Sequence, residues 1–408
     1  MAAALRVLIS GAGIGGLTAA LSLLQRGIDV EVFEQSAELG EIGAGFQVGA
    51  NGARVLFALG LEEQLRQVYS IPSGKEVRLW NSGQTWKLFD LGETSVERYG
   101  FPYFMIHRAD MHQILVDAVR ALKPDAIHLN ARGVGVEQDA GGASLRLADG
   151  STIRGDAVIG ADGVHSALRQ DLFGASAPTF TGCVAWRGIV PASELPKHLL
   201  RPVGTNWIGS GGHIVHYFLR RGELFNFVAV VERHDWLVES WTERGTAEEC
   251  AADFVGWHED IQAIIRKLDA PYKWALLGRE PMERWSVGRA TLLGDACHPT
   301  LPFLAQGAGM AIEDGYVLAR CLEAYADDVP KALQRYEAAR IERTSRIVRG
   351  SAENGRRFHN NVLSNAEQAE AYVSKEWQES SVEARYDWLF RYDATNVPLD
   401  EAPLGETV

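Results

Sequence analysis

Gly11, Gly13 and Gly16 stand in G-x-G-x-x-G register within VLISGAGIGGLTAALSLLQRGIDVEVFEQ, and Glu34 stands near its end. Those residue types at that spacing can hold a dinucleotide. Gly11 permits a tight turn, Gly13 lets backbone approach a pyrophosphate, and Gly16 lets a helix pack closely on a strand. The helix N-terminus then offers unpaired N–H groups to the phosphates. Glu34 can accept from both hydroxyls of a ribose, and its charge disfavours a 2′-phosphate, which argues against resident NADP. Other positions carry related chemistry. Arg108 lies just before an amphipathic helix, where its guanidinium could reach a phosphate. Asp162 and Gly163 end DAVIGADG, and Asp295 ends ATLLGDA. Ends of parallel strands are where ligands bind. Gly307, Ala308 and Gly309 begin a further helix, whose positive end can face an anionic ring. The glycine motif alone leaves NAD and FAD both open.

Holding these residues in place requires a particular set of elements. ALRVLIS reads as a buried parallel strand, GLTAALSLLQRG as a helix stopped by Gly27, and DVEVFE as a second strand ending at Glu34. ELGEIGAGFQVGANGARVLFALGL begins as a glycine-punctuated loop that includes Gly45, then becomes a helix. Its glycines suit either backbone packed against a flat ligand or a flexible connector. PYFMIHRADMHQILVDAVRAL reads as a strand end and a helix with Asp110 as its N-cap. STIRGDAVIGADGVHSALRQDLFG reads as a hairpin turn, a strand and a helix. From about Phe180 to Leu277 the segments CVAWRGIV, HIVHYFLRR, LFNFVAVVE and KWALLGRE suggest a mostly antiparallel sheet, covered by a helix near Thr246–Leu268. The tail from Lys331 reads as helical and charged. It ends in the aromatic YDWLFRY, either an interface or a surface packed on its own chain.

Composition narrows the partners. The net charge of −13 argues against nucleic acid or an anionic membrane, without excluding a local basic pocket. Four widely spaced cysteines, Cys183, Cys250, Cys297 and Cys321, include no zinc spacing and read as reduced thiols. The opening apolar stretch carries only Arg6 before it and is interrupted by glycines. It therefore reads as neither a signal peptide nor a membrane span, and a soluble, cytoplasmic protein is expected.

Three ordered segments, GAGIGG, GADGVHSALR and LLGDACHPTLPFLAQGAGMAIED, resemble the three fingerprints of the class A flavoprotein aromatic hydroxylases, over nearly the whole chain. The resemblance implies resident FAD and a transient NADH or NADPH, with NADH favoured. It implies that Gly11, Gly13, Gly16 and Glu34 hold the ADP half, with Arg108 at the ribityl-pyrophosphate region and Gly45 also at the cofactor. Asp162 and Gly163 would support FAD and the visiting nicotinamide, and Asp295 would contact the ribityl side. Pro299 would sit near the reactive edge of the ring, and Gly307, Ala308 and Gly309 at its pyrimidine side. The expected fold is α/β: a Rossmann-like FAD-binding domain (1–72, 101–178 and 278–345), an inserted mostly antiparallel β-sheet substrate domain (73–100 and 179–277) and a helical C-terminal extension (346–408).

Within that class GEIGAGFQVGANGARVL, YFMIHRADMH, GHIVHY and YDWLF are similar to the salicylate and 3-hydroxybenzoate 6-hydroxylase branch. The similarity implies that His213 and Tyr217 face the substrate. Pro302 stands where some of those enzymes line the pocket with glutamine. The activity implied is NAD(P)H- and O2-dependent ring hydroxylation through a flavin C4a-hydroperoxide, of 3-hydroxybenzoate to gentisate. Alternatives are decarboxylative conversion of salicylate to catechol and hydroxylation of a hydroxypyridine carboxylate. A phenol reacts faster as phenolate, and histidine is the natural base near neutrality. His213 is the candidate base, although a strand histidine can equally be a satisfied core residue. Tyr217 could donate to the substrate carboxylate or be a core aromatic, with Arg187 and Arg220 as charged alternatives. His298 is structural or a cofactor contact, and His216 should face away from His213 by strand alternation. The expected partners are a small aromatic carboxylate and O2, with no metal, nucleic acid or membrane, in a monomer or homodimer. Two readings from other classes are a dehydrogenase with resident NAD and a non-catalytic flavin-binding protein. The late GDACHP segment argues against the first, and the aromatic-rich insert with His213 argues against the second.

Overall fold

Aliphatic runs without polar alternation must be buried on both faces, and such runs build the centre of the first sheet. A computed structural model describes residues 5–40, 44–233, 235 and 243–399. In it Arg6–Ser10, Asp29–Phe33 and Ala157–Gly160 are adjacent parallel strands, with Val7 opposite both Val30 and Ala157. The six-stranded order is Ser286–Val287, Ala290–Leu292, Ala157–Gly160, Arg6–Ser10, Asp29–Phe33 and Ile127–His128. Only the edge pair Ser286–Val287 and Ala290–Leu292 is antiparallel. The helices Ile14–Leu24 and Gly307–Ala324 cross closely. A Cβ on Gly315 would lie 2.7 Å from the Ala19 nitrogen, so only glycine fits there.

The second sheet has seven strands, ordered Tyr272–Gly278, Thr179–Pro191, Leu224–Glu232, Gly212–Leu219, Val203–Gly209, Gly74–Leu79 and Thr85–Asp90. Its last two strands come from an earlier stretch of chain, and Gly74–Leu79 joins Val203–Gly209 in parallel. Strand alternation gives the sheet two unlike faces. Trp186, Trp207, Ile214 and Phe225 pack under Phe254, Ile261 and Ile264 on one side. The covering element differs from the single helix expected over Thr246–Leu268. It is two short helices, Ala247–Asp253 and Glu259–Ile265, separated at Gly256, whose φ of +83° ends helical geometry. Thr246 and Glu249 form a reciprocal capping box on the first.

A two-stranded ribbon, Gly45–Val48 against Phe104–His107, sets Gly45 opposite His107. The helix Arg108–Leu122 follows directly, with His107 as its N-cap: His107 Nδ1 accepts from the Ala109 N–H. Asp110 is therefore not the cap. The ribbon ends at His107, so Asp110 falls inside the first turn, and its carboxylate takes both Arg220 donors at 2.8 and 2.9 Å.

The tail forms a 30-residue helix, Val329–Phe358, then Ala366–Glu376 and Glu379–Arg391. The aromatic end packs on its own chain, with Phe390 5.6 Å from both the Tyr99 and Tyr103 rings. Where the long helix crosses Gly307–Ala324, four charges are fully or almost fully buried. Arg340 donates to Asp314 at 2.7 Å and pairs with Glu313 at 2.7 Å, and Arg343 donates to Glu313 at 2.8 and 2.9 Å. The four cysteines are buried and unpaired. Among the described residues no helix is long and apolar enough to cross a membrane.

Burial alone would raise the Glu313 and Asp314 carboxyls. The Arg343 and Arg340 guanidiniums, and His298 beside Asp314, outweigh it and hold both below the usual carboxylate range. Depressed carboxyls stabilise the fold fully above their unfolded pKa of about 4, and that stability drains away as pH falls toward their folded values. Arg340→Met should cost about 3–5 kcal/mol by stranding buried carboxylates. A lowered urea midpoint at unchanged slope is the expected reading, and a midpoint equal to the parent's would show the cluster to be energetically neutral.

Candidate active site

The cavity between the two sheets is built half from backbone and half from side chains. It has room for about 290 Å3, far more than the roughly 10–15 Å3 one water requires, so a ligand larger than water fits there. Gly13, Gly45, Arg108, Gly163, Asp295, Gly307 and Ala308 line one end. His213, Tyr217 and Pro302 line the other, together with Arg187, Gln47, Val215 and Val228.

At the backbone end two helices present N-termini that no side chain caps. Gly13 begins Ile14–Leu24 and Gln306 begins Gly307–Ala324. Their first N–H groups are orphan donors, positioned for an anionic ligand. A Cβ on Gly13 would meet nothing within 4 Å, because that position opens onto the cleft. Gly163, at φ +76°, opens the same way. Asp295 is exposed on the cavity wall. Uncapped N–H groups at both helix starts, a basic Arg108 and open glycine backbone fit a ligand with a pyrophosphate and an anionic ring, which is the chemistry of FAD.

Other predicted residues support the wall from behind. Gly11 makes its turn at φ +107°, and a Cβ on Gly16 would lie 2.1 Å from the Gly11 oxygen, so both glycines serve close packing. Glu34 accepts from the Ala12 N–H at 2.8 Å and the Ser36 N–H at 2.9 Å, which orders the glycine turn; each oxygen keeps a second acceptor site. The Asp162 carboxylate does not line the cavity. It caps the helix Ala167–Phe173, accepting from Ser166 Oγ and the Ala167 N–H. Pro299 is buried behind the wall, and Gly309 lies against Gln306 and Asn51. His298 is fully committed to structure on one nitrogen, with Nε2 2.6 Å from Asp314. Arg169, which no sequence argument singled out, donates to the Ala296 and Val164 carbonyls and clamps the two ligand loops together.

At the side-chain end, His213, Val215 and Tyr217 share one face of Gly212–Leu219, and Arg187 reaches the cavity from Thr179–Pro191, two strands away in the same sheet. His216 falls on the opposite face, where Trp207 Nε1 donates to it at 3.0 Å. Arg220, paired with Asp110, does not line the cavity; Arg187 does. His213 packs edge-on to Phe303 at 5.0 Å. Burial, and then the neighbouring His359, push its imidazole well below its ordinary pKa, so it is neutral near pH 7. Burial raises the Tyr217 phenol, which stays a donor in contact with Gln47. The cavity thus sets a neutral imidazole, a phenol and a guanidinium around apolar walls. His359 was invisible to sequence reasoning, because nothing in GRRFHN signals what its ring meets.

A sequence family described as an FAD binding domain matches residues 4–351. A 3-amino-4-hydroxybenzoate 2-monooxygenase of Streptomyces platensis is 41% identical over 354 residues, covering 87% of this chain and 88% of that protein. A 3-hydroxybenzoate 6-hydroxylase of Polaromonas naphthalenivorans is 38% identical over 397 residues, covering 96% and 97%. The solved structure of a salicylate hydroxylase substrate complex matches with a TM-score of 0.80 at 28% identity, covering 96% of each chain.

Glu34→Ala should weaken FAD retention by roughly 10–100-fold, corresponding to the loss of hydrogen bonds to a charged group. Flavin titration of the apoprotein measures it, and a variant that purifies with full flavin content counts against Glu34.

Proposed function

This chain belongs to the FAD binding domain family, as an FAD-dependent aromatic hydroxylase, and from that premise we propose that it converts 3-hydroxybenzoate to gentisate. The observation that carries the proposal is the convergence of His213, Tyr217 and Arg187 on one cavity beside the backbone cradle. The 38% identity to a 3-hydroxybenzoate 6-hydroxylase over nearly the full length supports it. Gly13, Arg108, Gly163, Asp295, Gly307 and Ala308 would hold the cofactor. When bound, FAD supplies the redox chemistry, accepting hydride from NADH and delivering one oxygen atom of O2 to the ring. Cytoplasmic NADH is the expected reductant.

Each protein group has a separate task. His213, neutral and buried, takes the phenolic proton, which enriches the ring carbon para to the oxygen. That carbon is position 6 of 3-hydroxybenzoate. Arg187 neutralises the carboxylate, since an unpaired buried charge would be expelled. Tyr217 donates a hydrogen bond to the same carboxylate. Val215, Val228 and Pro302 exclude water, so the activated oxygen meets the ring first.

A second reading keeps this machinery and changes the ring. Pro302 contributes no side-chain hydrogen bond, so that wall selects by shape alone. Salicylate, or a hydroxypyridine carboxylate, then remains a competing substrate. O2 uptake with product identification across 3-hydroxybenzoate, salicylate, 4-hydroxybenzoate and 6-hydroxynicotinate separates them. Gentisate supports the first reading, whereas catechol from salicylate supports the second.

His213→Ala should slow single-turnover hydroxylation by roughly 10²–10⁴-fold while flavin content stays constant. An unchanged rate removes it as the base. Because burial keeps His213 neutral below the ordinary imidazole range of about 6.5, the acid limb of the parent's profile should lie below that pH.

A further inference from the structure

The proton that His213 accepts cannot stay there. Its ring is 2% exposed and is flanked by Phe303 and Phe358, each 5.0 Å away. A lasting imidazolium in such surroundings is costly. His213 Nδ1 lies 2.7 Å from His359 Nε2, and His359 Nδ1 lies 3.1 Å from Glu232 Oε1. Exposure rises along this line, from 2% at His213 to 6% at His359 and 51% for the Glu232 side chain. Along this line the carboxylate is the most exposed group.

We propose that His213, His359 and Glu232 form a relay that carries the substrate's phenolic proton out of the cavity to solvent. The relay rests on the reading of His213 as the base. His213 would be the catalytic residue, and His359 and Glu232 act through it as positioning residues.

Donor and acceptor accounting sets the polarity of the chain. An ionised carboxylate only accepts, so His359 must donate from Nδ1. Its Nε2 is then an acceptor and takes the hydrogen from His213 Nδ1. That tautomer leaves His213 Nε2 bare as the acceptor for a phenol in the cavity. In forward transfer the substrate O–H bond breaks and an N–H bond forms at His213 Nε2. The His213 Nδ1 proton moves to His359 Nε2, the His359 Nδ1 proton moves to Glu232, and Glu232 releases it to water. Return of one proton to the product phenolate reverses each step and restores both tautomers.

The surroundings favour this route. His359 is the C-cap of the 30-residue helix Val329–Phe358. The negative end of the helix dipole stabilises a transient positive charge there. The backbone holds the spacing: the Gly211 N–H donates to the His359 carbonyl at 3.2 Å, and the Glu232 N–H donates to the Gly211 carbonyl at 2.8 Å. The titratable and charged groups around the relay are Arg187 and Tyr217 on the same sheet lining the cavity, Cys183 opposite Glu232 on the neighbouring strand, and Arg233 beside it. Arg233 pairs with Asp235 and Asp253. Burial holds His359 below its ordinary value while Glu232 pulls it back up, so this ring passes a proton on more readily than it stores one.

The test uses holoenzyme variants Glu232→Gln and His359→Gln, with Glu232→Asp as the rescue. Binding of 3-hydroxybenzoate is followed by the flavin spectrum, and proton release by a pH indicator in weakly buffered stopped flow. Both Gln variants should bind the ligand within about twofold of the parent, yet release the proton and hydroxylate roughly tenfold or more slowly. Glu232→Asp should recover most of both rates. Parental release and hydroxylation rates in both Gln variants overturn the relay. Ring ¹⁵N NMR of substrate-free holoenzyme gives a reading independent of the substrate. His213 and His359 should both carry hydrogen on Nδ1, and hydrogen on Nε2 of either overturns the relay. A wrong choice of aromatic ring would appear in the product panel and leave these nitrogen signals unchanged.

Discussion

Two buried carboxylates facing two buried guanidiniums join the helices on which both halves of the site depend. Glu313 and Asp314 sit on Gly307–Ala324, whose N-terminus supplies backbone donors to the cavity. Arg340 and Arg343 sit on Val329–Phe358, whose C-terminus carries His359. The same carboxylates reach further. Asp314 accepts from the Gly294 N–H and holds His298, while Glu313 accepts from Asn51, which also donates to Gln306 at the cap. Such clusters contribute little net stability compared with a well-packed apolar core, because desolvation offsets much of the attraction. Their effect here is positional. A slip of one helix against the other would strand a charge, so cradle and relay keep a single relative arrangement.

The two halves of the site differ in how they recognise a ligand. The cofactor end is mostly main chain, and its specificity comes from where glycines let backbone approach. The end proposed for the substrate is made of side chains, drawn mainly from strands of the second sheet. That division lets one scaffold accept different rings, as the relatives' differing substrates illustrate.

The same division explains what could be read from sequence. G-x-G-x-x-G with flanking strands is local, so its meaning survives without coordinates, and alternation correctly separated His213 from His216. Reading failed where tertiary contact decides. Asp110 looked like a cap, yet the ribbon pairing of Gly45–Val48 with Phe104–His107 starts the helix earlier. Thr246–Leu268 has helical periodicity, but Gly256 breaks it. Arg187 and Arg220 are indistinguishable as letters; only the folded sheet turns one inward and pairs the other with Asp110. Asp162 stands at the strand end the sequence indicated, and its carboxylate bonds the start of the adjoining helix. His359 contacts a residue 146 positions away, a separation over which no local pattern carries information.

The parallel pairing of Gly74–Leu79 with Val203–Gly209 has a consequence during synthesis. The earlier strand leaves the ribosome well over a hundred residues before its neighbour exists. At about 5–20 residues per second the interval is roughly 6–25 s. Throughout it Val77 and Leu79, buried in the finished sheet, have only the hairpin partner Thr85–Asp90. A two-stranded hairpin is marginal alone, and its unpaired edge is open to pairing with other chains. For this protein the exposed moment of that edge belongs to the nascent chain, before Val203–Gly209 exists to cover it.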